Sequence, residues 1–167
     1  MWADEGSSWC WATSLGGRFR SGQGAGAPDA ALLARATVWA GSAPEAAGEV
    51  FNITNGDQIR WRHLWPVFAR HFGMDYAEPQ PVPLVEAMAQ HEELWGRLVE
   101  RHGLVPTPYQ DLVGWAFGDF LFRSEFDNVS STIKARQVGF PDCLDTEDRF
   151  LELFDQLAAN RIIPPLS

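Results

Sequence analysis

The fold depends on residues 51–72, which read FNITNGDQIRWRHLWPVFARHF. The β-forming side chains of residues 50–53 predict a strand at the start of this stretch. A tight turn is predicted at residues 55–57, because asparagine and glycine tolerate the positive φ that such turns need.

A helix is predicted to follow the turn and to end at Gly73. Pro66 removes one backbone donor, so we expect the helix to begin late or to bend there. Its apolar residues recur every three or four positions and form one wide face that must be buried, in part against protein outside this chain. These residues are Trp61, Leu64, Trp65, Phe68 and Phe72.

Composition excludes several classes of function. The chain has 167 residues, which suits one domain or a large piece of one. Its net charge of −9 disfavours binding to nucleic acid or to an anionic membrane surface. Two cysteines are too few for a disulfide framework, and no apolar run is long enough to span a bilayer. We expect a cytoplasmic protein.

The first 28 residues differ in character from the rest and are expected to be poorly ordered or unrelated to the domain that follows. The glycines of residues 22–26 lack the preceding strand and the spacing of a phosphate-binding turn, so a flexible linker is the favoured interpretation. Residues 29–167 are predicted to form the ordered region.

The ordered region is predicted to be mostly helical, with one clear strand and no internal repeat. Capping residues and apolar periodicity predict helices over Ala30–Ala40, Leu84–His102, Pro108–Phe122, a short segment ending at Val138, and a last helix capped by Asp145 or Thr146. The helix over Pro108–Phe122 is apolar on most sides, so we expect it to be the central buried one. A lone strand cannot satisfy its own backbone groups, which is a first sign that the fold is incomplete.

No complete catalytic or metal site is evident. The four histidines lack the spacing of a zinc site, and packed or surface histidine is the favoured interpretation. Asp119 lies inside an apolar helix and is expected to pair with Lys134 or Arg123, in a structural rather than a catalytic role.

An ordered set of short motifs resembles the second half of the extended short-chain dehydrogenases/reductases. The branch is the progesterone 5β-reductase/iridoid synthase-like group, often called NAD-dependent epimerase/dehydratase. The resemblance covers about residues 29 to 165. The matching residues are 51–57, Trp61, 64–66, Trp95, 98–99, 103–104, 106–107, Trp115, Phe117, 119–120, Ser131, Lys134, 139–140 and 163–164.

The resemblance implies the C-terminal, substrate-binding portion of an α/β Rossmann-type reductase whose Rossmann core is largely missing. The expected fold is mainly α with one or two short strands. In the family, the N-terminal half binds NADP(H) and carries the catalytic tyrosine and lysine. Neither Tyr76 nor Tyr109 is followed by a lysine four residues later. No catalytic, cofactor-binding or metal-binding residue is therefore expected here, and no cofactor is expected to bind this chain alone.

Some substrate-side residues carry over from the family. An aromatic pair lies over the substrate, and Phe126 matches its first member, whereas Asp127 replaces the second. Phe122, Val129 and Thr132 are further candidates for the substrate pocket, with ordinary core packing as the alternative for each.

By this resemblance, the complete enzyme transfers hydride from NADPH to an activated C=C or C=O bond of a small apolar carbonyl or enone substrate. This portion is expected to be inactive alone. The alternatives are a helical interaction module that docks on a separate Rossmann-fold subunit or another protein, and a small enzyme with its own site. Exposed aromatic faces predict docking or self-association in the first two cases.

Overall fold

The computed structural model describes residues 24–25, 28–77, 82–123 and 127–166. Within those ranges the fold is mainly helical with two very short strands, so the expected fold class is confirmed. The elements are β1 (Gly24–Ala25), α1 (Ala30–Ser42), a 3₁₀ turn (Pro44–Ala46), β2 (Ile59–Arg60), α2 (Trp61–His71), α3 (Leu84–Met88), α4 (Glu92–His102), α5 (Tyr109–Leu112), α6 (Trp115–Phe122), α7 (Ile133–Gln137) and α8 (Thr146–Ala159).

The described residues fall into two compact units. One unit contains residues 65–77, 82–123 and 151–166, and the other contains residues 24–25, 28–64 and 127–150. We call the first the cavity unit and the second the network unit, after the features described below.

The core of the network unit is a small cluster of buried residues: Leu32, Ala36, Ala135 and Phe140. Trp39 packs its ring 5.2 Å from that of Phe140. Helix α1 begins at the predicted cap Asp29 but continues through the predicted stop at Gly41 to Ser42.

The predicted strand at residues 50–53 is wrong. Phe51 and Ile53 instead pack on the core cluster of the network unit, and the carbonyl of Val50 accepts a hydrogen bond from the Lys134 ammonium. The segment is therefore held by the packing of Phe51 and Ile53 and by this one hydrogen bond, and not by a neighbouring strand.

The observed strand pair lies elsewhere. Gly24–Ala25 pairs antiparallel with Ile59–Arg60, with Ala25 opposite Ile59. The linker interpretation is therefore wrong for these two residues of the glycine-rich run. The predictions for residues 1–23 and 26–27 lie outside the described residues.

Helix α2 begins directly after β2, at Trp61, so of the two expected outcomes, a late start or a bend at Pro66, the late start is excluded. Pro66 lies inside the helix, where its missing N–H leaves the carbonyl of Arg62 without an intrahelical donor. Gly73, with φ of 64°, follows the helix as predicted.

The apolar face of α2 packs largely as its periodicity predicts. Phe68 is 5% exposed and its ring centroid lies 5.1 Å from that of Phe154 on α8. The Phe72 ring lies 5.0 Å from the same phenylalanine. In the network unit, Trp61 contacts Phe150 at 6.2 Å between ring centroids.

The predicted helix over Leu84–His102 is broken into α3 and α4. The break follows Met88, whose carbonyl accepts hydrogen bonds from the Tyr109 hydroxyl at 2.6 Å and from the backbone N–H of His91 at 3.2 Å. A helical carbonyl can be diverted in this way because another helix supplies the donor. The helix ends as predicted at Gly103, which has φ of 60°.

The predicted helix over Pro108–Phe122 begins one residue later, at Tyr109, and is also broken, and the expectation that it is buried is wrong. Helix α5 ends at Leu112 and α6 begins at Trp115. Phe117 and Phe120 of α6 are 68% and 75% exposed. The opposite side of α6 carries Gly118, where an added Cβ would lie 2.8 Å from a methyl carbon of Leu84.

Candidate functional site

A buried polar network explains the Asn55-Gly56-Asp57 motif. The Asn55 side chain is buried, its Oδ1 accepts the backbone N–H of Asp29 at 2.7 Å, and its Nδ2 donates to Thr146 Oγ1 at 3.0 Å. Thr146 Oγ1 donates in turn to Asp57 Oδ1 at 2.6 Å. The network joins three segments that are far apart in sequence, which stabilises the network unit.

Asp57 also accepts the backbone N–H of Thr146 at 2.8 Å, so it helps cap α8. Of the two predicted caps, Asp145 and Thr146, it is Asp145 that accepts the next two backbone N–H groups, those of Glu147 and Asp148. Gly56 has φ of 102°, and an added Cβ would lie 3.0 Å from the Cβ of Cys143. The motif is therefore structural in this chain: it holds the N-terminal ends of α1 and α8 in place and positions no reacting group.

Asp29 and Arg149 form a largely buried ion pair. Asp29 Oδ2 accepts from Arg149 Nε at 2.7 Å, and the aspartate side chain is 6% exposed. The hydrogen bond from Arg149 lowers the pKa of Asp29, although burial opposes this shift. The carboxylate also caps α1 through the N–H groups of Ala31 and Leu32.

Lys134, the only lysine in the chain, does not pair with Asp119. Its ammonium donates to Glu49 at 2.6 Å and lies 4.9 Å from the centre of the Phe51 ring. The hydrogen bond from Lys134 lowers the pKa of the Glu49 carboxyl.

The expected pairing of Asp119 with Lys134 or Arg123 is wrong. Its two oxygens accept the backbone N–H groups of Leu84 at 2.7 Å and Val85 at 3.2 Å, so it caps α3 from another helix. Its structural role was predictable from its apolar surroundings, but the backbone partner 35 positions away was not.

The predicted substrate residues lie in different parts of the chain. Phe122 ends α6 in the cavity unit, where its ring lies 6.1 Å from that of Trp65. Val129 and Thr132 belong to the network unit; Val129 is 49% exposed and Thr132 directly precedes α7. Phe126 lies outside the described residues.

The cavity unit contains an apolar cavity of about 340 Å³. None of Phe122, Val129 and Thr132 lines it. Its walls come from five helices (α3, α4, α5, α6 and α8) and the segments next to them, and the lining side chains are nearly all aliphatic or aromatic. They are Phe72, Met74, Met88, His91, Leu94, Trp95, Leu98, Tyr109, Leu112, Val113, Trp115, Phe154, Leu157, Ile163 and Pro164.

Sequence reasoning identified one wall of this cavity without identifying the cavity. The predicted apolar stripe over Leu84–His102 includes Met88, His91, Trp95 and Leu98, and all four line it. Periodicity shows which side of a helix faces inward, but it does not show whether neighbouring helices fill the space.

Besides His91, three lining side chains carry N–H or O–H groups: Trp95, Tyr109 and Trp115. Trp95 Nε1 donates to the carbonyl of Thr107 at 2.8 Å, and Tyr109 donates to Met88 as described above. Burial raises the pKa of the Tyr109 hydroxyl, and the charge of Glu92 raises it further. Trp115 Nε1 is buried and has no acceptor among the described residues.

In the described ranges, no group of three or more histidine, cysteine, aspartate or glutamate side chains could hold a metal ion. His71 Nε2 lies 3.1 Å from Asp155 Oδ1, and His63 accepts a hydrogen bond from Arg62. Among the described helices, none has the length and apolarity needed to cross a bilayer.

No protein-family model matches the chain. Among curated proteins, it is 34% identical over 142 residues to (S)-8-oxocitronellyl enol synthase CYC2 of Camptotheca acuminata, covering 83% of this chain and 36% of the synthase. It is 33% identical over 141 residues to the Antirrhinum majus (S)-8-oxocitronellyl enol synthase, with the same coverage of both proteins. The Catharanthus roseus synthase is 33% identical over 144 residues, covering 84% of this chain and 37% of that protein. The chain thus spans a little over a third of the length of these relatives.

Proposed function

Because this chain belongs to the progesterone 5β-reductase/iridoid synthase-like family of extended short-chain dehydrogenases/reductases, we propose that it forms the substrate-side, C-terminal portion of an NAD(P)H-dependent reductase. The observation that carries this proposal is the similarity over 83% of the chain to synthases of which it covers only 36%. The complete protein would reduce an activated C=C or C=O bond of a small apolar carbonyl or enone compound.

The residues present do not fit the dinucleotide itself. The family's catalytic pair is a tyrosine with a lysine four residues later, whereas Gln80 follows Tyr76 and Val113 follows Tyr109 at that spacing. The Tyr109 hydroxyl is bound to Met88 and the Lys134 ammonium to Glu49. The nucleotide, NADP(H), would therefore be held by protein outside this chain, and this chain alone would be inactive.

The part that this chain would play is to supply apolar walls around a substrate. We assign that role to Phe122, Phe126, Val129 and Thr132, with Phe126 over the flat part of the substrate. Asp127 is exposed and stands where the family has a second aromatic residue, so a substrate with a polar end at that position is favoured.

Exposed aromatic rings favour a second candidate, an interaction module that docks on a separate Rossmann-fold subunit. Phe117 and Phe120 lie on one side of α6 with ring centroids 6.4 Å apart. Two neighbouring phenylalanines that are more than two-thirds exposed form an apolar patch that association would bury.

Two measurements test these proposals. NADPH titrated into the purified chain, followed by nicotinamide fluorescence, is expected to show no saturable binding; tight binding would contradict the placement of the nucleotide outside this chain. The chain is then mixed with the separately produced remainder of the Camptotheca acuminata synthase, and NADPH oxidation is measured with an α,β-unsaturated aldehyde, which carries the activated C=C bond that would accept the hydride.

Restored oxidation is expected from the reductase proposal, and Phe126→Ala should lower it at least tenfold while the exposed-residue control Val38→Ala leaves it unchanged. Complex formation without oxidation would favour the interaction module. Absence of both would refute the two proposals together.

A further inference from the structure

We propose that the break between α3 and α4 is a hinge: the Tyr109 hydroxyl keeps the two helices separate by binding the Met88 carbonyl, and loss of this bond joins them into one helix. The inference goes beyond the proposed function, because it concerns the shape of the cavity unit and requires neither substrate nor nucleotide.

The sequence at the break favours a continuous helix. Residues 87–93 read AMAQHEE and contain no glycine or proline. Alanine, methionine, glutamine and glutamate are among the strongest helix formers, and the apolar stripe runs through this stretch without a change of spacing. Since the local sequence gives no reason for a break, we infer that contacts with other parts of the chain cause it.

The backbone at the break lies close to a helical conformation. Ala89 has φ of −57° and ψ of −22°, and His91 has φ of −106° and ψ of 12°. An α-helix has φ of about −63° and ψ of about −42°, so Ala89 is already helical and His91 differs by about 40° in φ and about 50° in ψ. At these two residues, only small rotations separate the broken state from a continuous helix.

The Met88 carbonyl is the group for which the two states compete. In a continuous helix it would accept the backbone N–H of Glu92, four residues later. Here it accepts the Tyr109 hydroxyl at 2.6 Å and, in a tighter turn, the N–H of His91 at 3.2 Å. The hydroxyl bond therefore takes the place of a helical bond that would bridge the break.

The Tyr109 hydroxyl is a donor at neutral pH. Burial raises its pKa above the ordinary value of 10.0, and the charge of Glu92 raises it further. The hydroxyl therefore keeps the single proton that it donates to Met88.

Contacts outside the break fix each helix separately. Asp119 of α6 caps the start of α3, and Trp95 of α4 donates to the Thr107 carbonyl at 2.8 Å. These contacts hold the two helices at points away from residues 89–91, whereas the Tyr109 hydroxyl binds directly beside them. Tyr109 is therefore the residue whose removal should release the break.

The hinge would change the shape of the apolar cavity. Met88 precedes the break, His91 follows it, and both line the cavity together with Tyr109. Rotation at the break moves the side chains on its two sides relative to one another. Release of the Tyr109 bond would therefore rearrange this wall without unfolding either helix.

The test compares Tyr109→Phe with the unaltered full chain by NMR, because phenylalanine keeps the ring and removes only the donor. One ordinary hydrogen bond corresponds to a shift of about two- to tenfold in the equilibrium between the states. The ¹³Cα chemical shifts of Gln90 and His91 should move towards helical values, and hydrogen exchange of the Glu92 amide should slow at least about twofold. Tyr76→Phe removes the only other tyrosine hydroxyl of the chain and should leave these signals unchanged.

Two further measurements separate a hinge from a general loss of packing. Glycine disfavours a helix interior, so adding Gln90→Gly to Tyr109→Phe should shift the equilibrium about threefold back towards the broken state. In the unaltered chain, relaxation dispersion should detect a minor state at residues 89–92, with ¹³Cα shifts displaced in the same direction as in Tyr109→Phe.

Several results would overturn the proposal. Unchanged signals in Tyr109→Phe would show that the fixed positions of α3 and α4, and not the hydroxyl, cause the break. Equal changes in Tyr76→Phe would make them a general response of the fold. Absence of a minor state in the unaltered chain would mean that the break is rigid, and this measurement decides the matter even if Tyr109→Phe fails to fold. The proposed reductase function is tested separately, because NADPH oxidation is not measured here.

Discussion

Replacement of Asn55 by alanine should destabilise the chain far more than a typical surface change. The backbone N–H of Asp29 would lose its buried acceptor and Thr146 Oγ1 would lose its donor. A buried polar group left unpaired costs about 1–3 kcal/mol and an ordinary hydrogen bond about 0.5–1.5 kcal/mol, so we expect a loss of about 2–4 kcal/mol in the free energy of unfolding. For a chain of this length, this lowers the melting temperature by about 4–16 °C.

The matched control is Asn52→Ala. Asn52 is three residues earlier and exposed, and its side chain makes only a long contact of 3.5 Å with the Ser131 carbonyl. Its replacement should change the free energy of unfolding by less than about 0.5 kcal/mol. Urea unfolding followed by far-ultraviolet circular dichroism gives both values on the same scale.

Asn55→Asp distinguishes the hydrogen-bond pattern from the shape of the side chain. An ionised carboxylate accepts but does not donate, so it would keep the contact with the Asp29 N–H and lose the one with Thr146. It would also add a charge near Asp29 and Asp57, and we expect it to destabilise the chain at pH 7 by at least as much as alanine. If alanine and aspartate at position 55 were both tolerated to within about 0.5 kcal/mol, the network would not stabilise this unit and the reasoning would be refuted.

Three further predictions concern the helix caps and the exposed aromatic patch. Asp119→Ala leaves two backbone N–H groups at the start of α3 without their acceptor, and should lower the free energy of unfolding in urea by about 1 kcal/mol, whereas Asp111→Ala should change it by less than half as much. Because folding lowers the pKa of Asp29, the stability that its ionised carboxylate contributes is present above the ordinary pKa of 3.8 and is lost as the pH falls below that value. Asp29→Asn should therefore flatten the acidic part of the stability–pH profile. An unchanged profile would contradict the stabilising role of the Asp29–Arg149 pair. Simultaneous Phe117→Ser and Phe120→Ser replacement should reduce self-association in sedimentation velocity without loss of stability, and unaltered association would show that the patch on α6 is not the contact.

Local sequence signals located the helix ends well. Asp29 caps α1, and Gly73 and Gly103 adopt positive φ just after α2 and α4, as predicted; Asp145, one of the two candidate caps, caps α8. These features depend on the few residues around them, so they can be predicted from the sequence. The apolar face of α2 can be predicted for the same reason, since the spacing of its apolar residues is a property of that one helix.

The errors arose where a distant residue competes with a local preference. The periodicity of Leu84–His102 is continuous, yet the Tyr109 hydroxyl binds the Met88 carbonyl and two helices result. Residues 50–53 have strand-forming side chains, yet they pack on α1 and α7 and bind Lys134 instead of a strand. The partner of Asp119 was unpredictable because a backbone N–H has no sequence signature.

The sequence by itself determined that this chain is mainly helical, acidic and related to the C-terminal portion of the extended short-chain dehydrogenases/reductases, since composition, period and ordered motifs are properties of the residues alone. Only the tertiary structure decided which apolar faces are covered. It left Phe117 and Phe120 exposed and a cavity beside Trp115, because packing depends on how several helices meet and not on the pattern of any one of them.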